Sequence, residues 1–282
     1  MKQTNVFWAV LTVAGIFTAC SACQGNSANE SNKWNLCIKT GKADLPVLNA
    51  DGTANTEGRV PYAMVWQATD EMELFSKGEI LDTVWPKETG AGMTSVCSII
   101  QGHYAVGDTV ELFLPPGDID FTGQDGTEET ALENYYYADG FFLVKTVDSS
   151  DNLITTNDSV MNPKQAYVEF RFSDAAARPV NVRQLTIRSA SGYLATHGGI
   201  SESDMRFDDL VVNAAVPASK LFVALRNKLH DHSDLNYKPE ADVADTYTLT
   251  AVSIEGDTYT ATWKARLPFG YVYLADILLE KK

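Results

Sequence analysis

Beyond residue 32, apolar positions in this chain alternate with polar ones or fall in short β-branched and aromatic runs, each bounded by Gly, Pro, Asn or Asp. A period of two belongs to strands, because successive side chains of an extended backbone point to opposite faces. The pattern predicts strands at 62–66, 71–75, 95–100, 109–114, 140–147, 166–172, 184–189, 210–213, 220–226, 241–254, 258–263 and 271–279, the long one starting somewhat after 241. Ile254-Glu255-Gly256-Asp257-Thr258 separates two alternating stretches, Tyr247 to Val252 and Tyr259 to Trp263, which is a hairpin signature. Gly107-Asp108 opens the strand at 109–114, and Pro115-Pro116-Gly117 closes it, since proline cannot donate to a ladder. Helical spacing is confined to 126–135, where Thr127 resembles a cap and Glu128 and Glu129 fill the first turn. A polar stretch at 148–163 divides the body into 33–155 and 156–282. The expected fold is therefore all-β, with two tandem β-sandwiches, a barrel being the alternative for either half.

The start of the chain follows other rules. Residues 1–19 read as a signal peptide: Lys2, an apolar run from Val6 to Phe17, then the small residues Thr18 and Ala19. Phe17-Thr18-Ala19-Cys20 resembles a lipobox, so Cys20 is the expected acylation site, with Cys23 the alternative acceptor and plain cleavage the alternative event. Residues 20–32 are small and polar and form a tether. No later run approaches the roughly 20 apolar residues of a spanning helix, so the membrane is expected to be met through the lipid anchor only. Two cysteines remain in the body, Cys37 and Cys97; export permits a disulfide between them, and two buried thiols are the equal alternative.

Composition adds two constraints. The 282 residues are 45% hydrophobic and 21% charged, which suits a folded body. The net charge of −15, one unit more negative once Lys2 leaves with the leader, repels nucleic acid, so no nucleic-acid partner is expected.

The search for chemistry yields little. His230-Asp231-His232-Ser233-Asp234 has a spacing that zinc can use but reads as an exposed loop without a third ligand. Glu128-Glu129, Asp208-Asp209 and Asp118 with Asp120 are acidic pairs of the solvated kind, and Asp51-Gly52-Thr53 and Asp125-Gly126-Thr127 read as turns. No nucleophile elbow, phosphate loop or dinucleotide fingerprint is present, and no enzyme, metal or cofactor is expected. Ser191-Gly192 and His197-Gly198-Gly199 read as loop. In Tyr135-Tyr136-Tyr137, alternation along an extended chain would turn at least one ring outward, where it could stack on sugar.

In order and spacing these features resemble the fimbrillin-like proteins of Bacteroidota. The likeness runs through Cys20, Tyr62-Ala63-Met64-Val65-Trp66 with Asp70 and Leu74-Phe75, and Tyr137-Ala138-Asp139. It continues through Val168-Glu169-Phe170-Arg171-Phe172, Leu221 to Leu225, the 247–263 hairpin, and Leu267 to Leu274 before the terminal Lys281-Lys282. The resemblance implies two transthyretin-like sandwiches and an outer-membrane lipoprotein exposed at the cell surface or built into a fimbrium. It also implies adhesion and assembly with other fimbrial subunits by strand donation, after a protease cuts behind a basic residue and removes the first strand. Lys39, Lys42 and Arg59 are the candidate cleavage sites, with Arg59 in Glu57-Gly58-Arg59-Val60 the best placed. Because the sequence ends directly after 271–279, a tip, accessory or anchor subunit is expected rather than a stalk. The alternative is a surface lipoprotein that binds a glycan, through Tyr135, Tyr136 or nearby tryptophans, without polymerising. Either would face a host or bacterial surface protein or glycan.

Overall fold

Strand pairing starts at the first residues that the computed structural model describes, which are 32–198, 205–227 and 244–282. In the first half the strands are β1 (Lys33–Lys42), β2 (Val47–Asn49), β3 (Val65–Trp66), β4 (Met72–Ser76), β5 (Glu79–Val84), β6 (Gly90–Ala91), β7 (Met93–Gln101), β8 (Thr109–Leu114) and β9 (Ile119–Asp120). The helix α1 (Glu128–Asn134) follows, then β10 (Ala138–Asp148), β11 (Leu153–Thr156) and β12 (Ser159–Pro163). The second half contains β13 (Ala166–Ser173), β14 (Val182–Ser189), β15 (Leu194–Gly198), β16 (Arg206–Phe207), β17 (Leu210–Ala218), β18 (Lys220–Asn227), β19 (Asp245–Ser253), β20 (Thr258–Ala265), β21 (Val272–Leu278) and β22 (Glu280–Lys281). Among the described residues α1 is the one helix, and Thr127 caps it by accepting from the Thr130 amide at 3.3 Å.

An eight-stranded sheet runs β11-β1-β12-β10-β8-β4-β5, with β7 on the free side of β1. Its two ends face each other, where the Ser98 hydroxyl of β7 donates to Asp82 of β5. Inside lie Leu36, Ile38, Val96, Val110, Leu112, Phe142, Val144, Ile154 and Met161, all nearly inaccessible. The second half is a sandwich. One sheet runs β16-β15-β18-β13-β21-β2, and it packs on β17-β14-β19-β20-β22, with Phe170 of β13 edge-on to Trp263 of β20 at 5.2 Å. The 247–263 hairpin is realised as β19 and β20.

β13 and β18 read as almost unbroken apolar runs because both of their faces are covered. The opposite sheet covers one face. The other receives α1 and Tyr62, whose ring lies 5.8 Å from that of Phe222. The two halves are thus interlocked, and residues 33–282 form a single unit. β2 pairs parallel with β21 and β9 pairs antiparallel with β15, although both strands belong to the first half. The polar stretch 148–163 is not a bare junction either. It holds β11 and β12, both paired with β1 and β10, so the sheet of the first half runs past the expected 155/156 division. Their buried residues are Ile154, Met161 and Pro163, and polar Asn, Asp, Ser and Thr residues around them hide the period of two in the sequence. Likewise His197 and Gly198, expected as loop, end β15 (Leu194–Gly198), which is held by β18 and β9.

Candidate functional site

The candidate site is the first strand together with the segment that joins it to the body. Along β1, Leu36, Ile38 and Thr40 point inward and are at most 1% exposed, while Asn35, Cys37 and Lys39 point out. Both backbone edges of β1 are used. β7 pairs with it in antiparallel register from Lys33↔Gln101 to Gly41↔Met93, and β11 and then β12 pair with it in parallel. An N-terminal strand set this deep leaves, if withdrawn, a slot walled by unpaired amides and carbonyls and floored by apolar side chains.

Three devices hold β1 in place. At its start, the Trp34 indole donates to the Gly102 carbonyl at 2.8 Å. At its end, Lys42 turns inward, with its side chain 4% exposed, its ammonium 2.7 Å from Asp70 and about equally far from the Trp66 and Tyr136 rings, 5.1 and 5.0 Å. Burial pushes the Lys42 pKa down, and Asp70 opposes part of that shift. Between them, Cys37 and Cys97 stand directly opposite in register, with Cα atoms 4.2 Å apart, and are joined as a disulfide on the outward face.

After β1 the chain lays β2 on β21 and enters a loop held by side chains. Asn55 organises it, accepting from the amides of Glu57 (3.0 Å) and Arg59 (3.3 Å) and donating to the Arg59 carbonyl (3.0 Å). Glu57 receives a two-pronged contact from Arg171 of β13, which places the loop against the second half. The Arg59 guanidinium donates to the Tyr62 hydroxyl at 2.6 Å and sits 3.1 Å from Glu169. Glu169 is buried in the middle of β13 and also pairs with Arg171 at 2.8 Å. Tyr62 in turn donates to Glu128 of α1 at 3.0 Å, and burial together with that carboxylate pushes its pKa up to about 12. The next residue after Arg59, Val60, is 77% exposed. The Arg59–Val60 bond is therefore at the surface while the arginine head is engaged. Of the other two candidate cleavage residues, Lys39 lies on the outer face of β1 and Lys42 is buried.

Other expected residues are dispersed. The three tyrosines correct the expectation of an outward ring: Tyr135, Tyr136 and Tyr137 are 8%, 5% and 3% exposed. The segment is not extended there, because Tyr135 ends α1 at φ −118°, ψ 22° and alternation does not apply. Tyr135 donates to the Thr122 carbonyl, Tyr136 lies under Lys42, and Tyr137 lies 4.6 Å from the Arg226 guanidinium, so the run offers no stacking platform. Asp120 meets His197 at 3.2 Å and Asp209 pairs with Arg188. Asp51 and Asp125 cap turns by accepting from Thr53 and Thr127. Among the described residues no group of three or more His, Cys, Asp or Glu could hold a metal ion, and no helix is long and apolar enough to cross a membrane. Cys20, Cys23, the tether up to 31 and the 230–234 histidine pair lie outside the described residues.

Glu169 as the ionic partner of Arg59, and Arg171 as that of Glu57, went unnoticed in the sequence. A signal existed: Glu169 and Arg171 are charged residues at alternate positions of an otherwise apolar strand, a pattern that calls for an ionic partner supplied from elsewhere.

Comparison with known proteins gives structural likeness only: no family model and no curated protein matches the chain. The structural neighbours are adhesin and fimbrial proteins of Bacteroidales, together with pilins. A candidate cell adhesion protein from Bacteroides ovatus superposes with a TM-score of 0.46 at 13% identity, over 88% of this chain and 95% of that one. The C-terminally truncated tip fimbrial protein Mfa3 from Porphyromonas gingivalis does so with a TM-score of 0.40 at 7% identity, over 89% and 98%. The shaft pilin spaA from Lactobacillus rhamnosus GG gives 0.33 at 11% identity, over 88% and 97%.

Proposed function

We propose that this chain is a fimbrial subunit of the tip, accessory or anchor kind, exported as a lipoprotein acylated at Cys20 and contributing to cell adhesion. Cleavage after Arg59 separates β1 and β2 from the chain that follows, and once they leave, a strand from another subunit enters the vacated slot. The observation that carries the reading is the position of β1: it is the first strand of the body, paired along both edges and buried along one face, and a single cut after Arg59 severs it without interrupting any other strand. β2, on the same fragment, pairs with β21, so departure of the fragment opens edges in both halves. The resemblance of the 62–75, 168–172 and 247–274 segments to fimbrillin-like proteins supports the same reading. Adhesion then addresses a host or bacterial surface protein or glycan.

Mass spectrometry of the mature N-terminus, taken from membranes and from assembled material separately, tests this. The expected result is acylated Cys20 in the membrane precursor and Val60 as the first residue in assembled subunits. Assembled subunits that still begin at Cys20, with 33–59 continuous, would refute strand release.

A further inference from the structure

β1 is covalently tied to the body in two places, and Arg59 severs just one of them. The second tie is Cys37–Cys97, which joins β1 to its long antiparallel partner β7 at the middle of their register. After cleavage behind Arg59, everything upstream of the cut is still bonded to β7 through sulfur. A strand so held stays next to its own slot at an effective concentration in the millimolar range, with its inward residues already in register. An incoming strand at ordinary concentration loses that competition. Any lipid on the tether is N-terminal to Cys37, so the cut subunit also stays anchored.

We infer that Cys37–Cys97 is a redox-cleavable staple, and that release of the first strand needs two separate events, hydrolysis after Arg59 and reduction by a dithiol. The inference rests on the strand-release reading above. Access favours it, since the bond lies on the outer face of the sheet, with Cys37 exposed and Cys97 half-buried, rather than in the core with Leu36 and Ile38. The chemistry is thiol–disulfide exchange. One thiolate of the dithiol attacks a sulfur of the pair, the other cysteine leaves as a thiolate, and the second thiol of the dithiol resolves the mixed disulfide. Two electrons and two protons pass to the protein, giving Cys37–SH and Cys97–SH, while the dithiol becomes a disulfide.

The test uses the mature chain, cut with an arginine-specific protease, with Arg59→Ala treated alongside to identify cuts elsewhere. The probe is a fluorescent peptide of residues 33–42 carrying Cys37→Ser, and its uptake is followed by size exclusion with and without a dithiol, together with intact mass on non-reducing gels. The expected result is that the oxidised, cut chain keeps its 33–59 fragment and takes up peptide at least about tenfold more slowly than the reduced chain. The cut Cys37→Ser/Cys97→Ser chain should take up peptide without reductant. If that variant fails to fold, the wild type reduced and alkylated after cutting serves the same purpose. Measurable and equal uptake with and without dithiol, or loss of the fragment from oxidised chain, overturns the staple and leaves strand release standing. No uptake in any arm, with the fragment retained after reduction, overturns strand release itself and the staple with it.

Discussion

Replacing Gln124 by leucine tests whether the two halves are built as one body. Gln124 is 2% exposed, and its carboxamide acts as a one-residue strand: Nε2 donates to the Ala224 carbonyl at 2.8 Å and to the Phe121 carbonyl at 3.0 Å, while Oε1 accepts from the Ala224 amide at 2.8 Å. Two residues on, the Gly126 carbonyl accepts from the Phe222 amide at 2.8 Å. The crossover around 124–126 thereby satisfies the edge of β18 that β15, paired only at Arg226 and Asn227, leaves uncovered. Leucine keeps the volume and orphans three buried backbone groups, each costing about 1–3 kcal/mol. Allowing for the apolar gain, the expected loss is about 3–5 kcal/mol, a large part of the 5–15 kcal/mol typical of a folded protein. Urea unfolding followed by tryptophan fluorescence and far-ultraviolet circular dichroism should show one transition at a lower midpoint with unchanged slope. Gln184→Ala, which removes an exposed contact to Asn213, should move it by less than about 0.5 kcal/mol. A loss below about 1 kcal/mol, or a second transition that the mutation leaves in place, would refute the interlocked arrangement.

Glu57→Gln should speed cleavage after Arg59 by up to about fivefold, measured by intact mass over time, because an exposed, solvent-screened ion pair restrains the loop weakly and its loss lets the loop open more often. An unchanged rate would mean that the Arg171 contact does not restrain the loop. Ile38→Ala should cost about 2–5 kcal/mol in urea unfolding, as expected for a fully buried side chain; a loss under 1 kcal/mol would mean that β1 is not seated as described. Tyr62 supplies a pH dependence. Its folded pKa lies above its unfolded value, so its contribution is complete below pH 10 and fades as pH rises toward about 12. The stability advantage of the wild type over Tyr62→Phe should therefore shrink across that window, and a constant difference would count against the Tyr62–Glu128 contact.

What the sequence disclosed depended on how far the responsible contacts reach along the chain. The 247–263 hairpin and the Thr127 cap are local, and both were readable because turn residues and alternation sit within a few positions of one another. β11 and β12 were not, because they are held by backbone pairing, to nearby β10 and to β1 more than a hundred residues away, and backbone pairing leaves no trace in side-chain polarity. Arg59 stood out as a basic residue after glycine, yet its ionic partner Glu169 comes from β13, and the Glu57–Arg171 pair that holds its loop spans 114 positions. The tyrosine triplet misled for the opposite reason: a local rule, alternation, was applied where the end of a helix suspends it.

The two faces of β1 divide its work in a way that limits which strands can replace it. Inward, Leu36 and Ile38 each contribute about 1.5–3 kcal/mol by burial, and each ladder hydrogen bond adds a net 0.5–1.5 kcal/mol or so, so a replacement must present apolar residues at the same alternate positions to recover that energy. Direction matters as well. β7 is antiparallel to β1 while β11 and β12 are parallel to it, and only a donor running the way β1 runs restores both patterns. Outward, Cys37 adds nothing to this selection, because no buried neighbour reads that face. A substitution there should change when the slot opens without changing what fills it, whereas one at Ile38 should weaken the resident strand and leave the redox step untouched. The ratio of peptide uptake with and without dithiol, compared between Cys37→Ser and Ile38→Ala chains cut after Arg59, separates the two roles: near one for the former, and still well above one for the latter.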